Sequence, residues 1–159
     1  MLQNDPVYTV KVKPGWVRVS YSKNGIKEVF FPTKKSPYCR SINPPLFVKK
    51  AGKQLQSYYN GKNLKFTVPL DLSGFKKFEL AVWRATKTIP YGQTRSYEWI
   101  AKCIGKPKAA RAVGNALGRN PVPVIIPCHR AIRKDGTLGG FGGGAGWKKY
   151  LLKLETLKK

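Results

Sequence analysis

The chain has 159 residues, 42% of them hydrophobic, with 31 Lys and Arg against 7 Asp and Glu, a formal charge of +24. That length makes one domain or two small ones, and that charge opposes compaction and points to a polyanionic partner, nucleic acid first and an anionic membrane surface second. No apolar run approaches the roughly 20 residues of a spanning helix, and the N-terminus has no basic-then-apolar signal pattern, so the chain is expected to be intracellular, and cytoplasmic and nucleoid-associated if its source is prokaryotic.

Val7 to Val12 has strand composition, and Trp16 to Ser22 alternates. Asn24-Gly25 is a strong hairpin signal, and Lys27 to Phe31 reads as a third strand. Ser36-Pro37 and Pro44-Pro45 mark a loop that holds Cys39, a free thiol. Leu46 to Asn60 then reads as a helix covering the sheet, with Leu46, Phe47, Ala51, Leu55, Tyr58 and Tyr59 on its apolar face and Asn60-Gly61 as its stop. Residues 1–62 are therefore expected to form a sheet-plus-helix domain. The extended stretch 63–74, interrupted by Pro69, suits a connector.

Residues 75–159 read as mostly helical, which makes the whole an α/β two-domain chain. Phe75 to Lys87 has apolar residues at Phe75, Phe78, Leu80, Val82 and Trp83. Thr94 or Ser96 can cap a helix over Tyr97 to Ile104, with Glu98 favourable in its first turn. Gly105 ends that helix, and Lys108 to Leu117 forms the next, rich in Ala109, Ala110, Ala112 and Ala116. The pair fits a DNA-binding helix-turn-helix or a generic helical hairpin. Small side chains would let the second helix follow a minor groove or pack tightly on protein, and Arg111 is the long side chain available to enter a base stack. After the glycine-dense loop Gly139–Gly146, which allows close backbone approach to a ligand, Trp147 to Lys158 closes the chain. Its core face is Trp147, Tyr150, Leu151, Leu154 and Leu157, and its one acid is Glu155.

The chemistry centres on Val122 to Arg130. Val124-Ile125-Ile126 reads as a buried strand or extended segment, and Pro127 must end it. Cys128 and His129, the only histidine, follow at once. A thiol beside an imidazole is a candidate nucleophile, or else a small buried hydrophobe beside a solvated ring. Glu155 is a solvated charge or the third member of a Cys-His-acid set. Cys39, Cys103 and Cys128 form no paired framework, and one His cannot complete a four-ligand zinc set with scattered Cys. No metal and no other cofactor is expected.

The ordered motifs from Val68 to Glu155 carry a resemblance. They are Val-Pro-Leu-Asp-Leu at 68–72, Ile-Pro-Tyr-Gly at 89–92, Ser-Tyr at 96–97, Pro-Lys-Ala-Ala-Arg-Ala-Val-Gly at 107–114, Asn-Pro at 120–121, Ile-Pro-Cys-His-Arg at 126–130 and Leu-Leu…Glu at 151–155. With these the chain resembles the O6-alkylguanine-DNA alkyltransferases, or methylated-DNA–protein-cysteine methyltransferases. The resemblance implies an RNase H-like first domain and a winged helix-turn-helix second domain. It implies a monomer that repairs double-stranded DNA by moving the alkyl group of O6-alkylguanine, and of O4-alkylthymine, to Cys128 in a single turnover. Glu155 would orient His129, which acts through water on Cys128. Asn120 would brace the turn, and Tyr97 would donate to guanine N3. Arg111 would replace the flipped base, with Lys108, Ala109, Ala110, Ala112, Gly114 and Arg130 along the DNA. Leu117, Ala131, Phe141, Gly142, Gly143 and Trp147 would form the substrate pocket.

Three positions depart from the pattern that the resemblance sets. Phe141 stands where many relatives carry Tyr, so a phenol hydroxyl is missing. Gly142-Gly143 replaces Ser-Gly or Ala-Gly, and Trp147 replaces a smaller aliphatic. A non-catalytic alkyltransferase-like protein would lack the motif cysteine, which is present as Cys128. A Cys-His hydrolase would need an oxyanion hole, and a basic architectural protein would take up no alkyl group.

Overall fold

A computed structural model of the protein describes residues 5–35 and 43–156. Cys39, Leu157, Lys158 and the Ser36-Pro37 loop lie outside them. The chain divides into two compact units, Met1–Ser73 and Gly74–Lys159. No helix among the described residues is long and apolar enough to cross a membrane.

In the first unit β1 (Val7–Val12), β2 (Gly15–Ser22) and β3 (Gly25–Val29) form an antiparallel sheet in that order. Val10 and Val12 of β1 and Val17 and Val19 of β2 are buried, as alternation requires of one covered face. The third strand starts two residues earlier than the sequence pattern suggests. Ser22 pairs directly with Gly25, so the two turn residues are Lys23 and Asn24. Gly25 instead makes room for a neighbouring backbone. Its φ of 156° and the 2.7 Å between a would-be Cβ and the Pro69 carbonyl leave space for no side chain. The backbone of the 63–73 stretch runs there beside β3. Ile26 N–H donates to Pro69 O at 2.9 Å, Asp71 N–H to Ile26 O at 2.8 Å, and Ser22 Oγ–H to the Asp71 carboxylate at 2.5 Å. The expected connector is thus part of the first unit up to Ser73.

Helix α1 (Leu46–Tyr59) covers this sheet. Its buried stripe is Val48, Ala51, Gly52, Leu55, Tyr58 and Tyr59, positions one helical face brings together. Leu46 is not part of it. It is 82% exposed, because the face passes through Val48, and Phe47 is only half-buried, edge-on to Tyr21 of β2. Burying a side chain such as Leu55 fully contributes roughly 1.5–3 kcal/mol.

The second unit contains α2 (Lys77–Lys87), β4 (Arg95–Ser96), α3 (Tyr97–Cys103), α4 (Ala110–Gly118), β5 (Ala131–Ile132) and α5 (Ala145–Thr156). Two hydrogen bonds tie α2 to α4. Trp83 Nε1–H donates to Ala116 O at 2.9 Å, and Arg119 Nε–H to Glu79 at 2.5 Å. Glu79 also accepts the Lys76 N–H at 3.0 Å. That backbone bond and Arg119 hold its carboxyl below the usual range against the opposing effect of burial. Ser96 caps α3 by accepting the Trp99 N–H at 3.1 Å, so it rather than Thr94 is the cap. Helix α4 starts at Ala110, since Lys108 and Ala109 form the preceding turn. β4 and β5 pair in parallel, Arg95 with Ala131 and Ser96 with Ile132. This short ladder places the start of α3 beside the residues that follow Cys128.

Candidate active site

The segment leading to Cys128 is a buried turn and not a strand. Residues 122–130 are all buried, yet Val124 sits at φ 74°, a left-handed conformation unfavourable for a β-branched residue. A run of Val and Ile signals burial but leaves the backbone conformation open. Here tertiary bonds choose it. Asn120 Nδ2–H donates to Ile126 O at 2.9 Å, and its Oδ1 accepts the Val122 N–H at 3.0 Å. Ile126 N–H closes the loop onto Val122 O at 3.0 Å. Pro127, at ψ 62°, then turns the chain into a single 3-10 turn, Cys128–Arg130. Asn120 thus supports the turn from both sides and also hydrogen-bonds the Cys128 thiol.

Cys128 is 6% exposed. Burial pushes its thiol up to about 11, against the opposing pull of Asn120 and of the Lys148 charge. His129 is fully buried, with Nε2 2.6 Å from Glu155 Oε1. Burial lowers the imidazole's pKa, and the nearby Arg130 and Lys148 charges add to this, so the ring is neutral despite Glu155. For Glu155, burial raises the pKa, but the hydrogen bonds from His129 and Arg130 and the Arg130 charge outweigh it and hold the carboxyl well below the usual glutamate range, at about 2. A carboxylate can only accept. Nε2 therefore carries the proton and donates it to Glu155, and Nδ1 is the basic nitrogen. The carboxylate fixes the tautomer.

Arg130 corrects one sequence expectation. It is not on a DNA-facing surface but 8% exposed, with Nε 3.0 Å and 3.2 Å from the Glu155 oxygens, Nη2 3.0 Å from Oε1, and Nη1–H donating to Ile89 O at 2.7 Å. A guanidinium's fixed fork of donors suits such a bidentate pair. The Gly92 amide completes the cradle at 3.0 Å from Oε2. Glu155 is therefore held by the 89–92 loop, by His129 and by Arg130 together, which excludes the solvated alternative for it.

Lys148 is a functional candidate that sequence pattern did not single out. It is fully buried. Its Nζ–H donates to Ala131 O at 2.6 Å and to Leu138 O, and lies 3.4 Å from Tyr97 Oη. Burial brings its pKa down to about 8, opposed by the negative charge that Cys128 carries when ionised. A signal did exist: Lys148, Leu151 and Glu155 fall at i, i+3 and i+7, the one buried stripe of α5. Trp147, expected on that core face, is only half-buried and stacks edge-on with Tyr150.

Tyr97, the first residue of α3, is half-buried, and burial raises its pKa against the opposing Arg133 charge. Gly139 crosses its hydroxyl so closely, at φ 71°, that a Cβ there would lie 2.6 Å from Oη. Tyr97, Arg111, Gly114, Arg133, Phe141 and Gly142 help to line an open cavity of about 1040 Å³. Of the other residues expected at a pocket, Leu117 and Ala131 are buried and, like Gly143 and Trp147, are not in its lining. Cys128 is not in it either. On α4, Arg111 and Ala112 are exposed and Ala110 and Gly114 half-exposed, with Lys108 exposed and Ala109 half-exposed just before it. Val113, Ala116 and Leu117 point inward.

Among the described residues one thiol is buried, next to a neutral imidazole held by a carboxylate, within a chain of two α/β units. Residues 77–157 match the family of the 6-O-methylguanine DNA methyltransferase DNA binding domain. The chain is 51% identical over 113 residues to the methylated-DNA–protein-cysteine methyltransferase of Mycolicibacterium paratuberculosis, covering 71% of this chain and 67% of the relative. It is 42% identical over 149 residues to the inducible enzyme of that name from Bacillus subtilis, covering 93% and 83%. The crystal structure of Mycobacterium tuberculosis OGT in complex with DNA superposes with a TM-score of 0.79 at 40% identity, over 94% of this chain and 92% of that one. The chain belongs to the methylated-DNA–protein-cysteine methyltransferase family, whose members repair DNA by moving an alkyl group to a cysteine of the protein.

Proposed function

We propose that Cys128 is the alkyl acceptor, taking the group from guanine O6, and from thymine O4, in double-stranded DNA, one lesion per protein monomer. The observation that carries this reading is the buried Glu155–His129 pair beside a thiol raised to about 11. At neutral pH only about one such thiol in ten thousand is ionised, so an unassisted attack would be slow. His129 Nδ1 takes the thiol proton through a water. The imidazolium that forms is stabilised by Glu155, and the Lys148 ammonium offsets the thiolate. Sulfur then bonds to the alkyl carbon as the carbon–O6 bond breaks. The electron pair passes into the guanine, where the Tyr97 hydroxyl donates a hydrogen bond at N3 as negative charge builds, and the proton held by His129 returns through water to the restored base. The thioether left on Cys128 has no proton to lose, so no second turnover follows.

Access requires the damaged base to leave the stack. Arg111 fills the gap. Ala109, Ala110, Ala112 and Gly114 follow the minor groove, Lys108 meets phosphate, and Phe141 and Gly142 receive the base, with Leu117 behind them. The finer fold assignment that accompanies this reading is a winged helix-turn-helix for the second unit and an RNase H-like first unit. The test is the Cys128→Ala variant, offered a duplex labelled on the O6-alkyl group. It binds the duplex as the wild type does and takes up no label. Label on that variant's protein would remove Cys128 as the acceptor.

A further inference from the structure

The repair site uses only the second unit, yet the first carries a separate cationic groove. Between the C-terminal half of α1 and the 62–65 segment lies a surface groove of about 310 Å³. Lys50, Lys53, Lys62 and Lys65 line it together with neutral donors such as Gln54 and Asn63, and no acidic side chain takes part. Its far wall is pinned to the helix. Gln54 Nε2–H donates to Thr67 Oγ1 at 3.0 Å, and the Thr67 N–H donates back to Gln54 Oε1 at 3.2 Å. The turn at the helix end is tied as well, with Lys62 N–H on Ser57 O at 3.1 Å. Lys50 and Lys53 are neighbours on one helix face, where like charges repel, and α1 contains no Asp or Glu to relieve them. Five of the chain's seven acids have partners elsewhere: Asp5 with Lys27, Asp71 with Ser22, Glu79 with Arg119, Asp135 with Thr137 and Glu155 with Arg130.

We propose that this groove of the first unit is a second DNA contact, gripping backbone phosphates without reading sequence. Ammonium groups with amide donors between them are the chemistry of phosphate positioning. Insertion into a membrane is disfavoured, because the apolar stripe of α1 is already buried against the sheet. The proposal rests on the DNA-repair reading above and adds a surface to it.

The test uses the full-length protein. In Lys50→Gln/Lys53→Gln/Lys62→Gln/Lys65→Gln, each lost phosphate contact makes the dependence of log affinity on log salt shallower by about 0.9. The quadruple variant is therefore expected to lose roughly 3 to 4 in slope, and at least about tenfold in affinity for an undamaged duplex at low salt. A control with the same charge change, Lys13→Gln/Lys23→Gln/Lys34→Gln/Lys35→Gln, uses exposed lysines outside the groove and keeps the wild-type slope. Transfer from free O6-benzylguanine, which needs no DNA, stays at the wild-type rate in both and reports an intact fold. A groove variant with the wild-type slope, as expected if the groove serves an acidic protein instead, overturns the proposal, and so does an equal loss in the control. A wild type that binds no DNA would sink the repair reading itself.

Discussion

Replacing Glu155 by Gln tests the charge arrangement beneath the nucleophile. The wild-type carboxyl lies at about 2, against 4.5 for an ordinary glutamate. At about 1.4 kcal/mol per pKa unit, that difference is worth about 3 to 4 kcal/mol of stability at neutral pH. Because the folded-state pKa is depressed, the contribution is complete above the unfolded value of 4.5 and fades as pH falls toward 2. A second route gives a similar figure. The variant leaves Arg130 buried without a counter-charge, and breaking a buried ion pair costs about 3–5 kcal/mol. Urea unfolding at pH 7 and at pH 3, followed by tryptophan fluorescence, measures both effects. Glu155→Gln is expected to be about 3 to 4 kcal/mol less stable than wild type at pH 7 and to lose less stability than wild type on acidification. A variant as stable as wild type at pH 7, with an unchanged acid limb, would show that Glu155 is not the buried carboxylate on which His129 and Arg130 depend.

Arg111→Ala is expected to slow repair of a duplex by far more than it slows reaction with free O6-benzylguanine, since the free base needs no extrusion. Equal losses in single-turnover assays would remove the stack-filling role. Lys148→Met takes away a charge that favours the Cys128 thiolate, so the thiol's pKa is expected to rise above about 11. Measured as the pH profile of iodoacetamide labelling, with Cys39 and Cys103 replaced by Ser, the midpoint should move upward. An unmoved midpoint would show that the ammonium does not act on the sulfur.

Much of this molecule is legible in local pattern. Strand alternation in Trp16–Ser22, the cap at Ser96 and the helical spacing of α1 each report a choice that neighbouring residues make for themselves. What escaped local pattern was decided across the chain. Val124-Ile125-Ile126 shows its burial but not the turn that Asn120 imposes on it. Arg130 looks like a surface cation until Glu155, 25 residues later, is seen to neutralise it. Lys148 is buried because the carbonyls of Ala131 and Leu138 converge on its nitrogen, and its place on the inner stripe of α5 was outweighed by the expectation that lysines are solvated. The third strand began early because the turn closed on Lys23 and Asn24, while Gly25 was needed to admit Pro69.

By this mechanism the protein consumes itself through one sulfur. The most direct measurement is the intact mass of the protein after mixing with an excess of O6-methylguanine duplex, followed by peptide mapping. The expected product carries one methyl group in place of one thiol hydrogen, on the peptide that contains Cys128, with one guanine restored per protein. Restored guanine beyond one per protein, with the Cys128 peptide unmodified, would contradict it.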